Sequence, residues 1–92
     1  MQDKKINLPF TETSAEGIYI RVFKEDVDES ELVWHTDPED RIVEAVHKTD
    51  WKVQLDDSIP TDLNKPVFIT KGVWHRVIKG TGDLCLRLKK LN

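Results

Sequence analysis

Two histidines and an aspartate are the side chains best suited to chemistry in this chain. His35 and Asp37 are two positions apart, so an extended chain through Thr36 would project both toward the same face of a sheet. Two ligands on one strand and a third, His75, from a distant strand form the 2-His-1-carboxylate arrangement, which leaves coordination positions open for substrate or oxygen. The sequence therefore predicts one divalent metal ion, Fe, Mn, Ni or Zn, bound by His35, Asp37 and His75.

The neighbours of His75 allow two interpretations of this residue. After a tight turn at Lys71-Gly72, alternation places Val73, His75 and Val77 on one face of a strand. A histidine among valines on an inward face is either a core residue satisfied by a hydrogen bond, which is common for a lone histidine, or a ligand directed into a cavity.

Arg41 also has two interpretations. It could form an ion pair with Asp37 or Glu39 and neutralise a partly buried acid. Alternatively, it could lie beside the metal and hold the carboxylate or phosphate of a substrate with two hydrogen bonds, which makes it the candidate substrate-binding residue.

The other reactive side chains are assigned structural roles. On the predicted strand 41–48, Glu44 lies on the opposite face from Arg41 and is expected to pair with a basic residue across the sheet, whereas His47 is expected in solvent. Cys85 has no general base nearby in sequence and is interpreted as a packing residue. Tryptophans 34 and 74 face away from the proposed ligands, which favours a core or interface role.

These side chains must be positioned by β-strands, because β-branched and aromatic residues alternate with polar ones and no helical period appears. A hairpin is predicted from segments 41–48 and 51–56, and residues 57–65 read as a loop. The seven predicted strands are residues 17–24, 31–35, 41–48, 51–56, 66–70, 74–79 and a last strand containing Leu84, Leu86 and Leu88.

Seven short strands predict a single all-β domain over residues 17–92, folded as a sandwich or a closed barrel without free strand edges. Residues 1–16 have weaker periodicity and are expected to form an arm or an edge strand. Such an arm could pack across a dimer partner.

Composition excludes several classes of protein. The chain has 92 residues, enough for one domain, with 14 Lys and Arg against 17 Asp and Glu. No cluster of basic residues predicts nucleic-acid binding, and no apolar run is long enough for a membrane helix. The single cysteine excludes an intramolecular disulfide, and the N-terminal residues lack the apolar core of a secretion signal, so the cytoplasm is expected.

The segments around the two histidines together resemble the motifs of the cupin family. Residues 35–46 are similar to its first motif, in which a histidine, a second histidine two positions on and a later glutamate bind a metal ahead of an apolar strand. Residues 68–77 are similar to the second motif, whose Pro-x-Gly-x-x-His core supplies the last ligand at His75. The resemblance covers residues 17–90. At the corresponding positions this chain has Asp37 for the second histidine, Arg41 for the glutamate and Thr70 for the proline.

The resemblance implies a double-stranded β-helix, or jelly-roll barrel, with a small pocket for a small-molecule ligand. If the protein is an enzyme, the cation would act as a Lewis acid or an oxygen-activating centre on a small polar or anionic substrate. The alternative is a non-catalytic module for ligand binding or assembly whose metal site has decayed. Because members of this family commonly form dimers, the resemblance also implies a homodimer.

A second resemblance is narrower. The set His35, Asp37 and His75 is similar to the His-x-Asp…His signature of iron and 2-oxoglutarate-dependent oxygenases, which share the double-stranded β-helix. Those enzymes usually need a longer chain to enclose both cosubstrate and substrate.

Overall fold

Eight β-strands and one short 3-10 turn make up the computed structural model, which describes residues 8–91. No α-helix occurs within those residues, and none of their segments could cross a membrane as a helix. The 3-10 turn is Glu29–Glu31. The strands are β1 (Thr11–Ala15), β2 (Ile18–Phe23), β3 (Asp40–Ala45), β4 (Lys52–Leu55), β5 (Thr61–Asp62), β6 (Val67–Ile69), β7 (His75–Ile78) and β8 (Leu84–Leu91).

The strands form two antiparallel sheets. One has five strands in the order β1-β2-β8-β3-β6, and the other has three in the order β5-β4-β7. The predicted all-β class is confirmed. The expected closed barrel is not formed, because β5 and β6 contain only two and three residues and leave the two hydrogen-bonded ladders separate.

The predicted hairpin of segments 41–48 and 51–56 is wrong, because β3 and β4 belong to different sheets. Between them, Asp50 accepts hydrogen bonds from the backbone N–H and the hydroxyl of Thr81. The Trp51 side chain is fully buried, and its Nε1 donates to the carbonyl of Gly82 at 3.0 Å. These contacts tie the connection to the loop after β7 and direct β4 into the second sheet.

Two other predicted segments differ from the structure. Residues 31–35 do not form a strand: the 3-10 turn extends to Glu31, and only His35 makes a β-bridge. Asp28 stabilises that turn by accepting a hydrogen bond from the backbone of Ser30 at 3.0 Å. The predicted loop 57–65 contains the short strand β5, which pairs with β4.

The core lies between the two sheets and is built from the inward positions of alternating strands. Leu84, Leu86 and Leu88 share the buried face of β8, as predicted. Of the two roles predicted for Trp34 and Trp74, core packing is wrong, since they are 39% and 52% exposed, and the interface role stays a prediction. The other buried apolar side chains are Phe23, Leu32, Val43, Trp51, Val53, Leu63, Val67 and Ile69.

The N-terminal region matches one of its two predicted alternatives where it is described. Strand β1 is an edge strand of the five-stranded sheet, paired with β2, and all five of its residues are exposed. The remainder of the predicted arm, residues 1–7, lies outside the described residues.

Candidate metal centre

His35 and His75 are brought together by the backbone. The two residues form an isolated antiparallel bridge, in which the N–H of His35 donates to the carbonyl of His75 at 3.0 Å and the N–H of His75 donates back at 2.9 Å. Directly opposed residues in an antiparallel pair project their side chains to the same side. The imidazole ring centroids are accordingly 4.3 Å apart.

A repeated tripeptide gives the two histidines the same local structure. The sequence Val-Trp-His occurs at residues 33–35 and again at 73–75. In each copy the histidine Nδ1 lies 2.9 Å from the carbonyl oxygen of the valine two positions earlier, and the tryptophan is exposed. The sequence analysis expected both histidines at the site but overlooked this repeat, which signals that they are presented in equivalent ways.

Asp37 is positioned by the turn that precedes β7. The backbone N–H of Gly72 donates to the carbonyl of Asp37 at 3.0 Å, and the N–H of Lys71 donates to Asp40 Oδ1 at 2.8 Å. Gly72 has a φ of +80°, which L side chains rarely adopt. The predicted tight turn at Lys71-Gly72 therefore holds residues 37–40 beside His75.

The two valine carbonyls fix the tautomer of each imidazole. A carbonyl only accepts hydrogen bonds, so Nδ1 of each histidine carries the proton, and Nε2 of the neutral ring is free to act as a ligand. His75 Nε2 lies 3.1 Å from Asp37 Oδ2, and His35 Nε2 lies 4.0 Å from Asp37 Oδ1. Asp37 Oδ2 is buried and accepts no hydrogen bond from the residues described. When His75 is neutral, a bare nitrogen and a bare oxygen therefore face one another with no proton between them.

Burial favours the neutral form of His75. Its residue surface is only 5% exposed, and desolvation lowers the pKa of His75 below the ordinary histidine value. The hydrogen bond to Val73 and the charge of Asp37 oppose this shift without reversing it. Neutral imidazole is the form that binds a metal ion.

The donor atoms are close enough to share one ion. The ligand atoms of His35, Asp37 and His75 all lie within 4.8 Å of one another. Metal–ligand bonds of about 2.0–2.2 Å allow two ligands of one ion to be at most about 4.4 Å apart, so a small rotation suffices. The His35 side chain, 43% exposed, has room for it, whereas those of Asp37 and His75 are 10% and 6% exposed.

Arg41 is buried and engaged by two carboxylates. Its Nη1 lies 3.3 Å from Asp37 Oδ1, while Nε and Nη2 lie 2.7 and 2.6 Å from Glu39 Oε2. This geometry corresponds to the ion-pair interpretation of Arg41. A role in substrate binding remains a prediction. Since Arg41 contacts only Oδ1 of Asp37, the other oxygen is left to face His75.

The three side chains of the candidate site line a cavity of about 330 Å³. The walls are mainly apolar and come from both sheets. Apart from His35, Asp37, Arg41 and His75, the lining residues are Leu8, Pro9, Phe10, Arg21, Phe23, Glu31, Leu32, Val33, Val43, Val53, Leu63, Ile69, Val77, Leu86 and Leu88.

The remaining reactive residues lie away from this cavity. Glu44 is registered opposite the basic residue Arg87 on β8, but the two side chains form no ion pair among the described contacts, and His47 is exposed as expected. Cys85 is a half-buried free thiol on the face of β8 opposite to Leu84 and Leu86.

Comparison with known proteins identifies the fold and nothing more specific. No family model matches the chain, and no curated protein matches it. Among solved structures, the crystal structure of protein NMB1881 from Neisseria meningitidis is similar over 97% of this chain and 89% of that one, with a TM-score of 0.58 and 20% sequence identity. At that identity the similarity establishes a shared fold alone.

Proposed function

We propose that this protein is a small cupin-like jelly roll that binds one divalent first-row metal ion through His35, Asp37 and His75. The observation that carries the proposal is the unpaired, buried Asp37 Oδ2, 3.1 Å from an imidazole nitrogen whose tautomer leaves it without a proton. Two buried acceptors in contact are unfavourable unless a proton or a metal cation lies between them, and the lowered pKa of His75 favours the metal cation. Two imidazoles and one carboxylate suit Fe, Mn, Ni or Zn.

The three protein ligands leave coordination positions open toward the cavity. A structural zinc site is normally closed by four protein ligands, whereas a site with three retains a position for water or substrate. The metal would supply Lewis-acid or oxygen-activating chemistry to a small molecule bound there. The residues of the chain would orient the ligand and exclude water through the apolar walls.

Metal content tests this proposal directly. Protein made without a histidine tag is stripped with chelator, dialysed against excess Co(II) or Zn(II), freed of unbound metal and assayed by mass spectrometry. We expect about one ion per chain, and at least a hundredfold weaker binding in His75→Ala. His47→Ala is the matched control because it removes the exposed histidine outside the site and should bind like the unmodified protein. Metal-free protein, or equal loss in both variants, would overturn the proposal.

A second candidate function is a non-catalytic ligand-binding or assembly module with a decayed metal site. The ion pair of Arg41 with Asp37 and Glu39 favours it, since a guanidinium can balance the buried acids without a metal. The same metal assay separates the two candidates. If the module is correct, chelator leaves the melting temperature unchanged and no ion is retained.

We further propose that the protein works as a homodimer in the cytoplasm. In the outer face of the five-stranded sheet, one row runs through Ile18, Lys89, Ile42 and Phe68, and Phe68 is 52% exposed. A second copy would cover these apolar side chains. Sedimentation at micromolar concentration tests the dimer, and a particle of 10.7 kDa would contradict it.

A further inference from the structure

The cavity next to the candidate metal centre has mainly apolar walls, which do not suit a fully polar substrate. Both sheets contribute to its walls. The five-stranded sheet provides Phe23, Val43, Leu86 and Leu88, and the three-stranded sheet provides Val53 and Val77. Burying hydroxyl or amide groups against such walls without hydrogen-bond partners would be costly. The body of the ligand should therefore be hydrocarbon.

The cationic side chains of the cavity are already engaged. Arg41 is bonded to Asp37 and Glu39. Arg21 donates from Nε to Glu12 at 2.5 Å, and its guanidinium lies 4.3 Å from the ring centre of Phe10. Each guanidinium is therefore already paired with a carboxylate, and a negative group of the ligand needs another, unbalanced positive charge as its partner.

A metal ion bound at the site would be that partner for a negative group of the ligand. Asp37 and Glu39 together carry two negative charges, Arg41 carries one positive charge, and the imidazoles are neutral when they act as ligands. A divalent ion would convert this net negative charge of one into a net positive charge of one. A single anionic oxygen group at the open coordination positions would neutralise it in a site with little solvent.

The cavity has a mouth on the side of the N-terminal segment. Leu8 and Val33 line it and are 58% and 59% exposed, and Glu31 in the rim is also exposed. His35, the most exposed of the three proposed ligands, lies two residues from Val33. A ligand entering between these residues passes an apolar rim before it reaches the metal.

We infer that the ligand of this site is an amphipathic monocarboxylate, whose carboxylate binds the metal while a hydrocarbon chain or ring fills the apolar cavity. The inference rests on the proposed metal-binding function. The affinity for such a ligand has two separate contributions: the metal binds the carboxylate, and the cavity walls bind the hydrocarbon part. Polar hydroxy acids of the same charge should bind less well than simple fatty acids.

A homologous series of straight-chain carboxylates tests both contributions. Acetate, butanoate, hexanoate and octanoate are titrated calorimetrically into Zn(II)-loaded protein and into chelated protein, and metal content is measured on the same samples. We expect affinity to rise about fourfold for each added methylene. Removing the metal should weaken every member of the series at least tenfold, and 3-hydroxybutanoate, which has the same charge and chain length, should bind more weakly than butanoate.

The outcomes separate the inference from the function on which it rests. A chain that retains no Zn(II) overturns the proposed function, whatever the carboxylates do. A chain that retains Zn(II) but has the same affinity for acetate and octanoate, or prefers 3-hydroxybutanoate to butanoate, overturns the inference and leaves metal binding intact. Equal affinities with and without metal would also overturn the inference, because the carboxylate would then not be bound by the ion.

A pair of variants locates the chain-length effect in the cavity. Val77→Leu adds one methylene to a lining residue, and Val67→Leu adds one to a buried residue outside the lining. We expect Val77→Leu to weaken octanoate about fourfold relative to acetate and Val67→Leu to leave that ratio unchanged. The opposite pattern would contradict the assignment. If either variant fails to fold, the chain-length dependence of the unmodified protein still decides the question.

Discussion

Asp37 and Asp50 are two aspartates in polar clusters at the two ends of β7, and they differ in how well their oxygens are satisfied. Asp50 accepts from the backbone N–H of Thr81 at 2.8 Å with Oδ1 and from the Thr81 hydroxyl at 3.0 Å with Oδ2. Asp37 lies near the start of β7, and its buried oxygen Oδ2 accepts no hydrogen bond from the described residues. The first cluster is complete as folded, whereas the second leaves a buried acceptor unsatisfied at the place where the proposed cation would bind.

The Asp50 cluster, defined as Thr49, Asp50, Trp51, Thr81 and Gly82, also uses its other polar groups internally. The Trp51 N–H donates to Thr49 Oγ1 at 3.0 Å, and its Nε1 donates to Gly82 at 3.0 Å. Such a fully paired network stabilises a connection between sheets. The Asp50 cluster thus pairs its donors and acceptors within the fold, whereas the unpaired oxygen of Asp37 is the feature on which the proposed metal site rests.

The largest expected effect is at the Asp50 cluster. Trp51→Ala should lower the free energy of unfolding by about 3–5 kcal/mol, because the fully buried indole packs 5.8 Å from the ring of Phe23 and would leave a cavity. Urea denaturation measures the loss. Trp51→Phe is the control, losing mainly the hydrogen bond to Gly82. If folded Trp51→Ala bound Zn(II) much more weakly than the unmodified protein, the two ends would not be independent.

Gly80→Ala should come next. A Cβ at residue 80 would lie 2.3 Å from Asp50 Oδ1 and 2.7 Å from the backbone nitrogen of Trp51, so the chain must shift. We expect a loss of about 1–3 kcal/mol in stability, as for overpacking elsewhere. Gly72→Ala, near Asp37, is the control. An added Cβ there would meet no atom within 4 Å, but residue 72 has a positive φ, so this variant introduces backbone strain without crowding. Unchanged stability in Gly80→Ala would remove the proposed tight packing.

A pair of isosteric variants compares the two aspartates directly in metal-free protein. Asp37→Asn removes a buried, poorly satisfied charge while Arg41 keeps Glu39, so its stability should change by less than about 1 kcal/mol in either direction. Asp50→Asn weakens two hydrogen bonds from Thr81 and should destabilise. Urea midpoints measured side by side test this. A greater loss in Asp37→Asn would reverse the comparison.

The smallest effect concerns pH. Hydrogen bonds from the backbone and side chain of Thr81 lower the pKa of Asp50 below its usual 3.8. Because the folded pKa is depressed, the stabilisation is present above about pH 4 and is lost as pH falls through the folded value. We expect urea midpoints to fall between pH 5 and 3, and to fall less steeply in Asp50→Asn. Parallel pH profiles would show that Asp50 does not contribute.

The fold class could be predicted because alternation is a local signal. In β8, Leu84, Leu86 and Leu88 alternate with more exposed residues, and the bounds of β2 and β7 differ from the predicted ones by only one residue at each end. Strand partners could not be predicted, because they depend on contacts between distant residues. The hydrogen bonds of Asp50 with Thr81 separate β3 from β4, and nothing in the local sequence of residues 41–56 indicates them.

The site was predictable in its composition but not in its detailed geometry. The sequence placed His35, Asp37 and His75 together, and the structure brings their ligand atoms within 4.8 Å. The pairing that does this is a single bridge rather than the expected strand 31–35. The tautomers and the unpaired oxygen of Asp37 depend on backbone carbonyls, which a list of side chains does not reveal.

X-ray absorption at the metal edge of Zn(II)-loaded protein tests the central claim most directly. The account predicts a single zinc site with two imidazole nitrogens at about 2.0–2.1 Å, carboxylate oxygen at about 2.0–2.2 Å and at least one exchangeable ligand. The imidazole signal should fall by half in His75→Ala and stay unchanged in His47→Ala. Zinc surrounded only by water and carboxylate oxygens, or a spectrum unaffected by His75→Ala, would contradict it.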